Sequence, residues 1–232
     1  MKLSIIIPVY NEERFVKTVI NKIKSVELPK GMDRELIIID DGSEDGTFQM
    51  LKGFIDDPMT KIFHRDVNEG KTSAISLGLK FSTGDIIIIQ DADLEYNPDY
   101  YARLIEPILL DKASVVYGSR FKGKIEGMNI INRISNIFSN ITLNFLFHTD
   151  ISDVNTCYKV FKKEALDNIK LESKRFGFET EVTAKLLKRG YSIYEVPIEY
   201  TGRLKKEGKK ISLLTGLEMY LGIIKYKFKA KD

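Results

Sequence analysis

The sequence predicts an α/β fold with a mostly parallel central sheet flanked by helices, and three observations carry that expectation. Short runs rich in β-branched aliphatic residues recur at residues 3–7, 35–39, 61–64, 85–89 and 114–117. The segments between them space apolar residues as a helix does, the alternation expected of βα units. Three of the runs lead directly into polar clusters, where loops at the carboxyl ends of parallel strands would converge on one crevice.

Taken in order, the first run ends near Asn11. This residue is expected to start a helix, with Glu12 and Glu13 in its first turn and Phe15, Val19, Ile20 and Ile23 on one face. After the runs at 35–39 and 61–64, Gly70-Lys71-Thr72 opens another helix. Asn97-Pro98 combines a cap with proline at the first helical position, predicting a helix to about residue 110. Beyond Gly118 the pattern changes. An amphipathic stretch spans 128–147, followed by a short strand near 158–161, helices near 163–168 and 179–188, a strand at 191–196 and a final helix from about 211. No repeat or low-complexity linker interrupts the chain, so residues 1–232 are read as one domain.

Composition narrows the function. The chain has 232 residues, 43% apolar and 30% charged, which excludes disorder. Cys157 is the only cysteine, so no disulfide framework exists and a reducing compartment is expected. With only His64 and His148 beside it, Cys/His zinc ligation is not expected either. The longest apolar stretches, 134–147 and 213–224, are interrupted by Asn136, Ser139, Asn140, Asn144 and Glu218 and fall short of the ~20 residues that cross a bilayer. The first residues run straight into a strand without the marks of a leader, and the expected location is cytoplasmic, peripheral on the cytosolic membrane face.

Charge is unevenly spread. Residues 203–232 hold nine basic and three acidic residues, a net of +6, leaving −3 elsewhere from 27 basic and 30 acidic. Such a tail is either a solvated end or a region drawn to phosphate or anionic lipid. No recognition motif accompanies the basic residues, so nucleic acid is not expected as a partner.

The polar clusters are PVYNEE (Pro8 to Glu13), DDGSEDGT (Asp40 to Thr47) and DADLE (Asp91 to Glu95). Asp91 and Asp93 can place two hard carboxylate oxygens near one Mg²⁺ or Mn²⁺ that also takes phosphate oxygens, and Glu95 can supply a third. Two imitations are rejected. Asp41, Ser43, Asp45 and Gly46 match half an EF-hand loop, but its twelfth position is Lys52. Gly70-Lys71-Thr72 would close a P-loop, but the first glycine of that motif falls on Arg65. No GxGxxG follows the first strand, which disfavours a nicotinamide-binding fold.

The ordered series IIIPVYNEE, DDGSEDGT, NEGKTSA, DADLE, GSRF, DVNTCYKVF, RFGFETEV and YEVPIEYTGR covers nearly the whole chain and resembles the family 2 glycosyltransferases. Within them it resembles the branch that makes dolichyl- or undecaprenyl-phosphate sugars. The resemblance implies a GT-A fold with C-terminal amphipathic helices, and inverting, metal-dependent transfer of a hexose from a UDP- or GDP-sugar to polyprenyl phosphate. It implies that Pro8, Tyr10, Glu12, Asp40 and Asp41 hold base and ribose, and that Asp91, Asp93 and Glu95 face the metal. Arg120, Arg133 and Arg203 fall where acceptor phosphate is expected, Glu179 where an acid faces the donor sugar, and Lys71 can assist the leaving diphosphate. Residues 1–120 then form a nucleotide-sugar and metal half, and 121–232 an acceptor half with membrane-interface helices near 128–147 and 211–229. Two rivals share these motifs: transfer to a soluble or cell-surface saccharide, and a catalytically silent membrane-interaction module. Cys157, Tyr158 and Phe178 are read as core.

Overall fold

The aliphatic runs become strands because their residues are buried on both faces, where a continuous β-branched segment packs without a solvent side. β1 (Lys2–Val9) and β2 (Asp33–Asp40) pair in parallel along their full length. β3 (Thr60–His64) extends the sheet beyond β2, and β4 (Ile86–Ile89) lies parallel on the other side of β1. β5 (Val115–Ser119) and β8 (Tyr194–Pro197) pair in parallel, and β7 (Lys159–Lys162) is inserted antiparallel between β4 and β5. The sheet order is β3-β2-β1-β4-β7-β5-β8. A separate two-stranded ribbon joins β6 (Ile125–Glu126) to β9 (Tyr200–Thr201). The computed structural model describes residues 1–173, 175, 177–202 and 213–229.

Helices cover both faces. Ile5, Ile7 and Ile88 pack against α1 (Val16–Ser25) and α4 (Tyr101–Leu109), while Ile6, Ile87 and Ile89 face α3 (Lys71–Phe81) and α6 (Phe178–Lys188). Gly78 lets α3 approach β1, since a Cβ there would lie 2.5 Å from Ile6 Cγ2. A short α2 (Thr47–Lys52), α5 (Ile130–Phe147) and α7 (Leu213–Phe228) complete the fold.

Several boundaries differ from the expected ones, each for a local reason. α1 starts at Val16, not Asn11, because Asn11 is left-handed (φ 50°) and its neighbours are tied to the loop after β2. Asn11 N donates to Ser43 Oγ, Glu12 N to Thr47 Oγ1, and Glu13 Oε2 accepts from Gly46 N. The segment near 163–168 holds one 3₁₀ turn, Lys163–Leu166, in place of a helix. The Asn97 cap stands, with its Oδ1 accepting from Asp99 N and a 3₁₀ turn at Pro98–Tyr100 leading into α4. The expected helix start near residue 211 lies outside the described residues.

α5 is inside out. Its buried residues are Ser139, Asn140 and Leu143, whereas Ile130, Ile134, Ile137, Phe138, Ile141 and Phe145 are exposed, Phe145 to 78%. α7 differs: Met219, Ile223 and Tyr226 turn inward, Phe138 and Tyr220 stack between the two helices, and Leu221 and Phe228 face outward. No helix among the described residues is long and apolar enough to cross a membrane.

At the amino end of the sheet, Glu35 is buried and accepts from Ser4 Oγ, Thr83 N and Thr83 Oγ1 at one oxygen, and from Lys2 and Lys61 Nζ at the other. Burial opposes its charge, but these donors outweigh it and hold the carboxyl well below its ordinary value of 4.5. A depressed carboxyl contributes stability that is fully present above the unfolded value and lost as pH falls below it. Glu35→Gln is therefore expected to cost about 1–3 kcal/mol at pH 7 and to flatten the decline of stability below pH 4.5. Urea unfolding from pH 3.5 to 7 tests this, and parallel acid slopes in parent and variant would refute it.

Candidate active site at the carboxyl edge of the sheet

The parallel strands β1 to β4 end at one edge, with Val9, Asp40 and His64 in register and Ile89 beside Ile6. β1 lies between β2 and β4, so the order reverses there and opens a crevice. Gln90 fixes its floor. The Gln90 side chain accepts from Tyr101 OH and Tyr158 OH, each at 2.8 Å, and donates to Asp91 O, which sets the course of the DADLE loop. Asp93 Oδ1 accepts from Glu95 N, and Glu95 Oε2 takes the Tyr200 hydroxyl at 2.6 Å.

Lys71, the first residue of α3, reaches into this crevice. Its Nζ lies 2.7 Å from Asp91 Oδ1, 2.9 Å from Glu179 Oε1 and 3.2 Å from Cys157 Sγ. Burial works against the ammonium, but Asp91 and the neighbouring groups hold its pKa well above the ordinary lysine value. Glu179 sits in the first turn of α6 and is 3% exposed, and its Oε2 is buried without a hydrogen-bond partner among the described residues. Burial, with Asp91 nearby, pushes the Cys157 thiol up, so it stays neutral and is no nucleophile.

On the far side, Arg120 follows β5 and is buried. Its Nε and Nη2 clamp Asp153 at 2.7 Å each, its backbone N–H bonds the same carboxylate, and its guanidinium lies 5.2 Å from the Tyr200 ring centroid. Much of the fork expected to meet acceptor phosphate is thus committed to Asp153. Arg133 is exposed on the first turn of α5, away from this pair's hydrogen bonds, and Arg203 lies outside the described residues. Lys159 is buried between these groups, donating to Val154 O at 2.9 Å with its Nζ 3.5 Å from the Tyr117 ring centroid. Desolvation lowers its pKa to about 7 in spite of Glu179 and Asp153.

On the β1–β2 side, Pro8 and Tyr10 are half-buried and Glu12 is buried. Asp40 Oδ2 pairs with His64 Nδ1 at 2.7 Å, and His64 stacks on Phe48. Asp41 accepts from Arg65 Nη1, Glu69 N and Gly70 N, so it shapes the turn that launches Lys71. Gly42 is obligatory beside them: at φ 71°, a Cβ would lie 2.7 Å from Asn68 N.

Among the described residues, no three His, Cys, Asp or Glu side chains are gathered into a group that could hold a metal ion, and Glu95 Oε2 accepts from the Tyr200 hydroxyl. Two hard carboxylates on a loop still fit Mg²⁺ or Mn²⁺, which commonly takes one or two carboxylates and fills its shell with phosphate oxygens and water.

Gln90, Tyr96, Asp153, Lys159 and Tyr200 were not legible as site residues. Tyr96 OH accepts from Cys157 N and its ring packs on Tyr158 and Tyr200. The pairings join positions from 33 to 105 residues apart, and the only signal for Asp153 and Lys159 was a charge inside an otherwise strand-like motif.

This architecture and its acid-bearing β4 edge define an α/β domain of the GT-A class. Glucosyl-3-phosphoglycerate synthase from Mycobacterium tuberculosis, solved with Mn²⁺, UDP and glucosyl-3-phosphoglycerate, superposes with a TM-score of 0.76 at 19% identity, over 100% of this chain and 81% of that one, a likeness of fold. Residues 4–170 match the family model Glycosyl transferase family 2, and the chain belongs to that family. A dolichol-phosphate mannosyltransferase of Pyrococcus furiosus is 29% identical over 216 residues, 90% of this chain; the match spans 59% of that relative's length. A UDP-N-acetylglucosamine–dolichyl-phosphate N-acetylglucosaminyltransferase of Methanococcus voltae is 26% identical over 246 residues, 97% of this chain and 96% of its own.

Lys159 yields a pH signature. Folded, it binds a proton only below about 7, whereas an unfolded lysine keeps one to its ordinary 10.5. The unfolded state therefore binds more protons between those values, and stability rises with pH across that window. Lys159→Met is expected to remove the rise between pH 7 and 10, and chemical unfolding at several pH values measures it. An unchanged slope in the variant would refute the assignment.

Proposed function

We propose that this protein transfers a hexose, with inversion, from a UDP- or GDP-sugar to a polyprenyl phosphate. The observation that carries the lipid acceptor is α5. Its outer face exposes seven large apolar side chains, and its inner face grips the 151–155 loop that holds Asp153 against Arg120. Leaving an isoleucine or phenylalanine in water forgoes ~1.5–3 kcal/mol per side chain, so a stripe of this size calls for an apolar partner. A bilayer at that face would bring a lipid phosphate to the Arg120 side of the crevice. Transfer to a soluble saccharide leaves the stripe without a purpose.

In this reading residues 1–120 bind donor and residues 121–232 bind acceptor. Pro8, Tyr10, Glu12, Asp40 and Asp41 shape the base and ribose subsite, with His64 orienting Asp40. Asp91 and Asp93 would hold Mg²⁺ or Mn²⁺, and Glu95, held by Tyr200, braces their loop. When bound, the ion supplies positive charge to the leaving diphosphate. Lys71 adds a second positive charge there, and Glu179 Oε2, lacking a partner among the described residues, accepts a donor-sugar hydroxyl. The acceptor phosphate is already anionic, so alignment matters more than a general base. Arg120, paired to Asp153, fixes the acceptor wall, and Arg133 and Arg203 serve as further phosphate-binding residues. The protein then works as a peripheral enzyme on the cytosolic membrane face.

Incubation with Mg²⁺ or Mn²⁺, a short polyprenyl phosphate and a panel of UDP- and GDP-hexoses should give a lipid-phosphate sugar by mass spectrometry. Asp93→Asn should reduce turnover by at least about a hundredfold with the fold retained by circular dichroism. Transfer to free saccharides in place of the lipid would overturn the acceptor, and full turnover of Asp93→Asn in chelator would overturn the ion's place.

Membrane contact is tested separately. The protein should sediment with anionic liposomes at low salt, and Ile134→Ser/Ile141→Ser/Phe145→Ser should weaken sedimentation about tenfold or more while leaving thermal unfolding within a few degrees. Parent protein that stays in the supernatant would exclude direct docking of α5.

A further inference from the structure

The crevice contains a cation of its own. Lys71 Nζ sits between Asp91 Oδ1 and Glu179 Oε1, with Cys157 Sγ completing its contacts, and the two side chains of the Lys71–Asp91 pair are 15% and 17% exposed. The pair is therefore reachable from the crevice without unfolding. The backbone beneath it is held: Gly70 N donates to Asp41, Ala74 N to Gly70 O, and Thr72 N to Arg175 O. Movement is left to the flexible four-carbon stem.

We propose that Lys71 is a built-in placeholder for the divalent ion. Its ammonium neutralises Asp91 while the crevice is empty of donor, and it excludes the ion until a nucleoside diphosphate draws it away. This rests on the reading that Asp91 and Asp93 hold that ion. An ammonium 2.7 Å from Asp91 Oδ1 and a divalent cation on the same carboxylate would repel at close range in a poorly hydrated site, so the two compete. A diphosphate offers the ammonium an alternative anionic partner, and Glu179 offers a second hold during the exchange. The buried Oε2 of Glu179, which lacks a partner among the described residues, marks an acid set that the lysine alone does not saturate. The consequence is an order of assembly: ion and nucleotide enter together, and the protein without donor is a poor binder of free divalent ions.

Electron paramagnetic resonance of Mn²⁺, which reads free ion directly and needs no turnover, tests this. Parent protein alone should bind Mn²⁺ weakly and should bind it tightly with UDP or GDP present. Lys71→Met alone should bind Mn²⁺ about ten- to a hundredfold more tightly than parent alone, the scale of one lost charge-assisted contact. The gain from added nucleotide should shrink accordingly, as linkage requires. Lys71→Gln, whose amide still donates to one carboxylate, is the second variant should the methionine leave Asp91 and Glu179 too exposed to each other for folding. Asp93→Asn in the Lys71→Gln background should abolish the gain and so locate the ion. If both Lys71 variants bind Mn²⁺ no better than parent, while nucleotide still promotes binding to parent, the placeholder is refuted and the ion reading survives. If no condition yields bound Mn²⁺, or Asp93→Asn leaves it intact, the ion reading falls and the placeholder with it.

Discussion

The site depends on one reversed strand. β7 pairs antiparallel with both β4 and β5, through Ile88↔Val160 and Val116↔Val160, in a sheet whose other strands run parallel. Because it runs backwards, its beginning, not its end, lies at the carboxyl edge where β1, β2 and β4 finish. The residues leading into it are thereby delivered to the crevice in sequence: Asp153 to Arg120, Cys157 to Lys71, Tyr158 to Gln90, and Lys159 to the space beneath them. A parallel strand in the same place would bring Lys162 to that edge and leave Arg120 and Gln90 without partners.

The delivered charges explain why so polar a crevice can exist before any ligand arrives. Lys71 faces Asp91 and Glu179, and Arg120 faces Asp153. Buried pairs of this kind add little net stability, because desolvation offsets most of their attraction, and breaking one partner away costs far more than the intact pair contributes. Their value is positional. They hold carboxylates and cations at fixed places on rigid strand ends, a preorganised arrangement of charge.

Much of this is legible in the sequence. Five strands with their order along the chain follow from aliphatic runs that sterics and burial make unambiguous, and the acidic loops after β1, β2 and β4 announce the crevice. The start of α1 was misplaced because Asn11 and Glu13 serve the neighbouring loop through contacts 32 and 33 residues away, which no cap pattern encodes. The ribbon of β6 and β9 was invisible since two-residue strands carry no period, and with it went the Tyr200 hydroxyl on Glu95. The reversal of β7 was equally hidden: a four-residue strand, Lys159–Lys162, does not state its direction.

α5 shows how a pattern can be read correctly and still leave its meaning open. Periodicity identifies a helix with an apolar stripe, but an amphipathic helix ordinarily turns that stripe to the core. What decides the matter here is the opposite face. Asn136, Asn140 and Asn144 recur every fourth residue, and each binds the loop beneath it: Asn136 Oδ1 accepts from Asn155 Nδ2, Asn140 Oδ1 from Val154 N, and Asn144 Nδ2 donates to Ile151 O. Extended loop backbone needs hydrogen-bond partners, and Asn140 and Asn144 supply them where aliphatic side chains could not, while Asn136 holds the Asn155 side chain. The polar ladder thus claims the inner face, and the helix can satisfy it only by presenting Ile134, Phe138, Ile141 and Phe145 outward. The same ladder ties that outward face to the loop of Asp153, and through it to Arg120, so the exposed apolar surface and the wall of the crevice belong to one hydrogen-bonded unit.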